Sequence, residues 1–222
     1  MLRFWRANPT YLNEYLIEAV NDYQFNLNLV LDPPVPDNET ELWDEEKHVA
    51  LLTTQTNYML LMDYARQFKV PVDLEIQGQM EALYQQWRNH LTTDFQTVKQ
   101  KVNNHYYLAV LEEYRIWLED RTRIYDITEY DLWLEERDIM ELIIISATEE
   151  FQTKEYAEAI QPFDQKMKVL IEHCLNLITQ PPDNREGKPR ENYPDWKVEY
   201  FHECRIDWLP KRFWWRHLPT PA

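Results

Sequence analysis

The chain has 222 residues, and because 44% of them are hydrophobic and 14% aromatic, it can form a folded core and is not expected to be disordered. Gly78 and Gly187 are its only glycines, which argues against a Rossmann fold, a P-loop and a many-stranded sandwich, since sheet turns and phosphate-binding loops recruit glycine. The formal net charge of −16 disfavours direct nucleic-acid binding. The composition therefore favours an all-α fold.

The first helix is predicted to start at Asn8, which is followed by a proline, and to end before Pro33 after about 20 residues. A cap pair at Asn38 and Glu41 predicts a second helix that runs to about residue 68. Asp73 is the predicted cap of the third helix.

Two breaks are expected in the helical pattern that follows. Thr93 and Gln96 have the spacing of a capping box, which predicts a break between them and a new helix. The second break is expected at Asp126 and Glu129, which form another predicted cap pair. Pro162 marks a bend or a new start in the last helical pattern.

We therefore expect six or seven helices in a bundle-like array, with an irregular aromatic C-terminal tail. The predicted divisions are a helical domain over residues 1–178, a proline-rich loop over 179–195 and a docking tail over 196–222.

Two similar motifs lie 16 residues apart: EYRIWLEDR at 113–121 and EYDLWLEER at 129–137. On one unbroken helix they would point to opposite faces, and a period of 16 is too short for helical solenoid repeats. We interpret them as consecutive helices that each bury a tyrosine, a tryptophan and a leucine: Tyr114, Trp117 and Leu118, then Tyr130, Trp133 and Leu134.

Signals for secretion, membranes and cofactors are weak. The first ten residues carry charge and proline where a signal peptide needs an apolar run, and the longest clean apolar run, LIIIS at 142–146, is too short to span a bilayer. Cys174 and Cys204 form no CxxC motif, so neither a zinc knot nor a disulfide framework is expected. We expect a cytoplasmic protein with no cofactor.

Two E-x-x-H spacings raise a metal-dependent helical enzyme as an alternative. They are Glu45 with His48 and Glu199 with His202, and this spacing places a carboxylate and an imidazole on one helix face, as in di-iron bundles. The competing interpretation is chance spacing on solvated faces in a chain with 39 acidic residues. We predict no metal site, and these four residues are the candidates if there is one.

Residues 106–138 read YYLAVLEEYRIWLEDRTRIYDITEYDLWLEERD. The stretch is similar to the middle of class I terpene synthases, where a W–E–R segment precedes an E-Y-L-x-x-R-like segment. That family binds its metal through D-D-x-x-D and N-D-x-x-S-x-x-x-E motifs, and the stretches VLDPPVPD and NLITQPPDN match neither. The resemblance implies a degenerate terpene-synthase-like protein.

Nucleophilic and ribonuclease signals are also weak. Ser146 is the only serine and lies in the apolar run LIIIS, so we expect its hydroxyl to be buried and bonded back to its own helix. Arg212 and His217 have the R-x4-H spacing that resembles HEPN-type ribonucleases, but Phe213 replaces the polar residue that follows the arginine there.

The tail contains four of the nine tryptophans and is basic from Arg205 to His217. It can fold back on its own acidic helices, pack on a second copy or another subunit, or contact an anionic membrane. Tryptophan and arginine dominate binding hot spots, and the predicted docking residues are Trp208, Arg212, Phe213, Trp214, Trp215 and Arg216.

The sequence thus favours a non-enzymatic interaction or assembly protein that docks through its tail on a protein partner or a second copy. No nucleic-acid partner is expected, and no membrane. The alternatives are the metal-dependent enzyme and a polyanion (DNA) mimic that inhibits a nucleic-acid-binding protein.

Overall fold

The computed structural model describes residues 7–32, 43–120, 130–179 and 204–217. These residues form no strand, and they contain six α-helices, so the all-α prediction is confirmed. The helices are α1 (Leu12–Leu31), α2 (Trp43–Phe68), α3 (Leu74–His105), α4 (Leu111–Asp120), α5 (Tyr130–Phe151) and α6 (Glu155–Thr179). None of these helices is long and apolar enough to cross a membrane.

The first three helices follow the predicted boundaries except at the start of α1. The predicted start at Asn8 is wrong, because a turn precedes the helix, which begins at Leu12 with Tyr11 at the N-cap position. In this turn the backbone N–H of Thr10 donates to Asn8 Oδ1 at 2.9 Å. The helix ends at Leu31, and α2 ends at Phe68. Asp73 caps α3 as predicted, because its Oδ1 accepts the N–H of Glu75 at 2.9 Å. The predicted cap pair of α2, Asn38 and Glu41, lies outside the described residues.

The predicted break inside the long pattern is a kink. Asp94 has φ −121° and ψ 21°, yet α3 continues through it. The hydroxyl of Thr93 donates back to the carbonyl of His90 at 2.9 Å. A π-helical turn, Tyr106–Val110, then connects α3 directly to α4. Because α3 and α4 form one continuous helical segment, the described residues contain five separate segments instead of six or seven.

The two similar motifs lie on consecutive helices, since α4 ends at Asp120 and α5 begins at Tyr130. Tyr114, Leu118 and Leu134 are buried, as predicted. Tyr114 packs against Phe163 and Met167 of α6. The side chains of three other predicted core residues, Trp117, Tyr130 and Trp133, are not described. The predicted cap pair, Asp126 and Glu129, lies outside the described residues.

Pro162 was expected to mark a bend or a new start, and the new start is wrong. Pro162 lies inside α6, which begins at Glu155. The chain reverses earlier, after α5, where Gln152 has a positive φ of 54°. The apolar positions of α6 on both sides of the proline, Tyr156, Ile160 and Met167, are buried. The continuous apolar face therefore explains why the helix tolerates an internal proline.

The chain divides into two compact units. The first consists of Met1–Val110 and Leu142–Lys154, and the second of Leu111–Glu141 and Glu155–Ala222. In the first unit α1, α2 and α3 pack against one another as a bundle. In the second unit α4 packs against α6, and the described part of the tail, 204–217, belongs to this unit. The loop predicted at 179–195 falls largely outside the described residues.

Candidate functional site

The described tail is folded by short local turns. Phe213 and Arg216 each donate their backbone N–H to the carbonyl three residues earlier, both at 2.9 Å. The N–H of Ile206 donates to the carbonyl of Arg216 at 2.9 Å, which closes the segment into a loop. Its inward side chains are fully buried: Phe213, Trp215 and Arg216 are all 0% exposed. The tail is therefore an ordered part of the second unit.

A buried ion pair joins the tail to α5. Arg216 Nε donates to Asp138 Oδ2 at 3.1 Å, and Trp215 Nε1 donates to Asp138 Oδ1 at 2.8 Å. Arg216 Nη1 also donates to the carbonyl of Cys204 at 3.1 Å. Burial raises the pKa of the Asp138 carboxyl, and the charge and hydrogen bonds of Arg216, with the Trp215 N–H, oppose that shift. The Asp138 carboxylate, the Arg216 guanidinium, the Trp215 N–H and the Cys204 carbonyl are therefore hydrogen-bonded to one another in a buried site.

Arg137 connects this pair to α6. Its guanidinium lies 4.0 Å from the ring centroid of Trp215 and binds Asp164 through two hydrogen bonds of 2.8 and 3.1 Å. Glu141 accepts a third hydrogen bond from the Arg137 guanidinium at 3.0 Å. Burial acts to lower the pKa of Arg137, but Asp164 and Glu141 outweigh it, so the pKa is raised. One buried cation thus contacts α5, α6 and the tail.

Other tail side chains lie at the surface. We call them the tail edge: Trp208, Lys211, Arg212 and Trp214. Arg212 binds Glu141 through Nε, while its side chain stays 47% exposed. Lys168 of α6 lies 4.9 Å from the centroid of a Trp214 ring, and both Trp214 and Trp208 are half-buried.

The tail therefore folds back on α5 and α6 of its own chain, which was one of the three alternatives for it. Phe213, Trp215 and Arg216 face the interior of the unit, so in this conformation they are not available to a partner. The docking role stays a prediction for Trp208, Arg212 and Trp214.

Comparison with known proteins gives no relative. The chain matches no protein-family model, no curated protein and no solved structure. The resemblances to terpene synthases and HEPN-type ribonucleases stay predictions, as do the metal-dependent enzyme and the polyanion mimic.

The E-x-x-H candidates fall mostly outside the described part of the chain. His48 is buried in α2, whereas the side chains of Glu45, Glu199 and His202 are not described. Among the side chains that are described, no three His, Cys, Asp or Glu residues come together as a metal site would require.

Ser146 is fully buried, as expected, but its hydrogen bond differs from the expected one. Its hydroxyl donates to the carbonyl of Leu52 on α2 at 2.8 Å and contacts the hydroxyl of Thr56. The expectation of a bond within its own helix is wrong because α2 packs closely enough to offer an acceptor. The hydroxyl therefore lies in the contact between α2 and α5, hidden from solvent.

The first unit contains a cavity of about 360 Å³. Its walls come from α2, α3 and the C-terminal end of α5, and its lining residues are Gln55, Tyr58, Met59, Met62, Asp63, Arg66, Gln77, Met80, Glu81, Tyr84 and Glu149. This cavity was not predicted from the sequence. One signal was present, because the lining residues recur at three- and four-residue spacing on α2 and again on α3.

A polar cluster adjoins this cavity. Glu150 Oε1 accepts hydrogen bonds from Gln55 Nε2 and from the Tyr84 hydroxyl, each at 3.0 Å. Burial, the charge of Glu150 and this hydrogen bond raise the pKa of Tyr84 to about 12. Burial and then the charge of Glu150 also raise the pKa of Tyr23. Both phenols therefore stay protonated at neutral pH.

Proposed function

We propose that the protein is a non-enzymatic interaction or assembly protein that docks through its tail edge. The observation that supports this proposal is that some side chains of the tail are buried in the unit while others lie at its surface. Trp215 and Arg216 are fully buried, whereas Arg212 keeps about half of its side-chain surface in solvent. The buried residues fix the backbone, so the surface residues need no ordering on binding, which lowers the entropic cost of association.

The composition of the tail edge indicates the partner's chemistry. Trp208 and Trp214 offer indole rings, and Lys211 and Arg212 add positive charge beside them. Aromatic residues and arginine are enriched in interface cores, and complementary charge selects the partner. The edge therefore suits a protein surface that carries carboxylates around an apolar patch. A second copy of this chain, with its net charge of −16, offers such carboxylates.

The experiment is sedimentation velocity of the purified chain over a range of concentrations, combined with Trp208→Ala. We expect wild type to self-associate and Trp208→Ala to weaken association by about tenfold or more, as for a hot-spot tryptophan. Phe25→Ala is the matched control, since Phe25 is 64% exposed on α1 of the other unit.

A photo-crosslinking amino acid at position 208, used in the expressing cell, extends the test to other partners. An intermolecular crosslink from position 208 that is missing from a probe at position 25 supports the proposal. A chain that stays monomeric and forms no intermolecular crosslink from position 208 contradicts it.

A further inference from the structure

We propose that the tail edge of one copy of the chain docks into the cavity of the first unit of a second copy. This inference rests on the proposed function and deepens it, because it names the surface that the tail edge meets. Three observations carry it: apolar side chains in the cavity are open to a partner, carboxylates surround them, and the tail edge presents the complementary groups.

The apolar part of the cavity comes from two neighbouring helices. Met59 and Met62 of α2 and Met80 of α3 line it. Met59 and Met62 are half-buried, so part of their surface stays open. Methionine adapts its shape to the group that packs on it. The volume of about 360 Å³ lies within the range of roughly 300–1,000 Å³ that small-molecule sites occupy, so a tryptophan side chain has room in it.

Carboxylates stand around this apolar area. Asp63 of α2, Glu81 of α3 and Glu149 of α5 line the cavity and are exposed. Arg66 is the one lysine or arginine among the lining residues that the structure describes, and its side chain already binds that of Asp63. The cavity therefore fits a partner that brings an apolar group and positive charge together.

The tail edge brings these groups together. Trp208 and Trp214 are half-buried, which leaves part of each indole exposed, and Lys211 and Arg212 are exposed. Lys168 of α6 lies 4.9 Å from the centroid of a Trp214 ring and adds a further cation there. An indole in the cavity packs on methionine, while the cations stay among the carboxylates at its edge. Apolar contact and complementary charge thus coincide in one interface.

A second copy is the occupant because every copy carries both surfaces. The chain has 39 acidic and 23 basic residues, so the basic tail edge is a local exception and is attracted to the acidic surface of another copy. The cavity and the tail edge are different surfaces, and the contact is therefore heterologous. Two copies that exchange such contacts form a closed pair, and copies that do not close form a chain.

A crosslinking experiment maps the contact directly. A photo-crosslinking amino acid at position 211 leaves both tryptophans of the tail edge in place. Chains with this probe are mixed with isotope-labelled wild-type chains, crosslinked and analysed by mass spectrometry after digestion. We expect crosslinks between the two isotopes to fall within residues 55–66 of α2 or 77–84 of α3, which contain the cavity residues of these helices. Crosslinks between the isotopes that fall only in other segments, or a wild-type chain that stays monomeric, overturn the inference.

Two charge-reversal variants test the carboxylates by sedimentation velocity. Glu81→Lys reverses a charge in the cavity and is expected to weaken self-association about tenfold, because like charges then meet across the contact. Glu46→Lys is the matched control, since Glu46 is exposed on α2 and does not line the cavity. Both changes alter the net charge of the chain by the same amount, so a general change in repulsion affects them equally. The control is expected to associate within about twofold of wild type.

A charge swap tests whether the two surfaces meet each other. Lys211→Glu reverses a charge of the tail edge and is also expected to weaken self-association. A mixture of Glu81→Lys chains and Lys211→Glu chains should associate about tenfold more tightly than either variant alone, because both mixed contacts join opposite charges. Circular dichroism checks that each variant is folded. Association of Glu81→Lys equal to that of wild type, or a mixture no tighter than its components, contradicts the inference.

Failure of this inference is distinguishable from failure of the proposed function. If Trp208→Ala weakens self-association and Glu81→Lys does not, the tail edge docks on another surface and only the inference is overturned. If position 208 forms crosslinks to a different protein alone, the proposed function stands and the second copy is excluded as the occupant. If wild type stays monomeric and position 208 forms no intermolecular crosslink, both are overturned.

Discussion

Arg216 Nε lies 3.1 Å from Asp138 Oδ2, and the two residues are 78 positions apart in the chain. Both are hidden from solvent, at 0% and 1% exposure. Replacing a buried ion pair by apolar residues changes the free energy of unfolding little, but removing one partner leaves the other charge buried and unpaired, which is strongly destabilising. Such a pair therefore specifies which residues must meet more than it adds to stability. The pair therefore determines where the tail lies against α5.

Removing Asp138 tests this relationship. Asp138→Ala leaves the Arg216 guanidinium buried without a counter-ion, and we expect the free energy of unfolding to fall by about 3–5 kcal/mol in urea denaturation. The matched control is Asp207→Ala, which breaks the more exposed pair with Arg205 and should cost about 1 kcal/mol or less. Equal losses for the two variants would show that the buried pair does not hold the tail.

Arg137→Lys tests whether geometry or charge matters at the junction of α5, α6 and the tail. Lysine keeps the charge but cannot bind Asp164 through two parallel hydrogen bonds or stack flat on Trp215. We expect a loss of about 2 kcal/mol in the free energy of unfolding. Arg115→Lys, which changes an exposed pair with Glu112, should lie within about 0.5 kcal/mol of wild type. Wild-type stability of Arg137→Lys would mean that charge alone suffices.

Much of this fold could be predicted from the sequence because its signals are local. The cap at Asp73 depends on a hydrogen bond across two residues, and the end of α2 at Phe68 precedes a proline-containing break. The partners of the tail could not be predicted in this way. Asp138 was one acidic residue among 39, and only the packing of the tail on α5 selects it.

Within the tail and in the cavity, too, the sequence does not show which side chains meet. Trp214 and Trp215 are neighbours of identical chemistry, yet only Trp215 is fully buried, because the local turn points it inward. The cavity residues come from three helices, and their ordinary helical spacing does not reveal which faces meet. Gln55 and Glu150 lie 95 residues apart, so their contact exists only in the folded chain.

Alkaline titration tests the Tyr84–Glu150 hydrogen bond. The pKa of Tyr84 is raised from 10.0 to about 12 in the folded chain, so its stabilising contribution is present below pH 10 and is lost as the pH rises to 12. Tyr84→Phe should lower the free energy of unfolding by about 1 kcal/mol below pH 10. The difference from wild type should shrink between pH 10 and 12.

The measurement is urea unfolding of both proteins at several pH values, with tyrosinate absorbance followed in parallel. The other buried tyrosines are present in both proteins, so their titration cancels in the comparison. If the stability difference between Tyr84→Phe and wild type stays constant from pH 8 to pH 12, the contact with Glu150 does not raise the pKa of Tyr84.

Residue-resolved amide hydrogen exchange tests whether the tail is an ordered part of the second unit that the Asp138–Arg216 pair holds in place. We expect the N–H groups of Ile206, Phe213 and Arg216, which donate to backbone carbonyls, to exchange slowly in wild type and to lose that protection in Asp138→Ala. Exchange of these three amides in wild type at the rate of an unstructured peptide would contradict it.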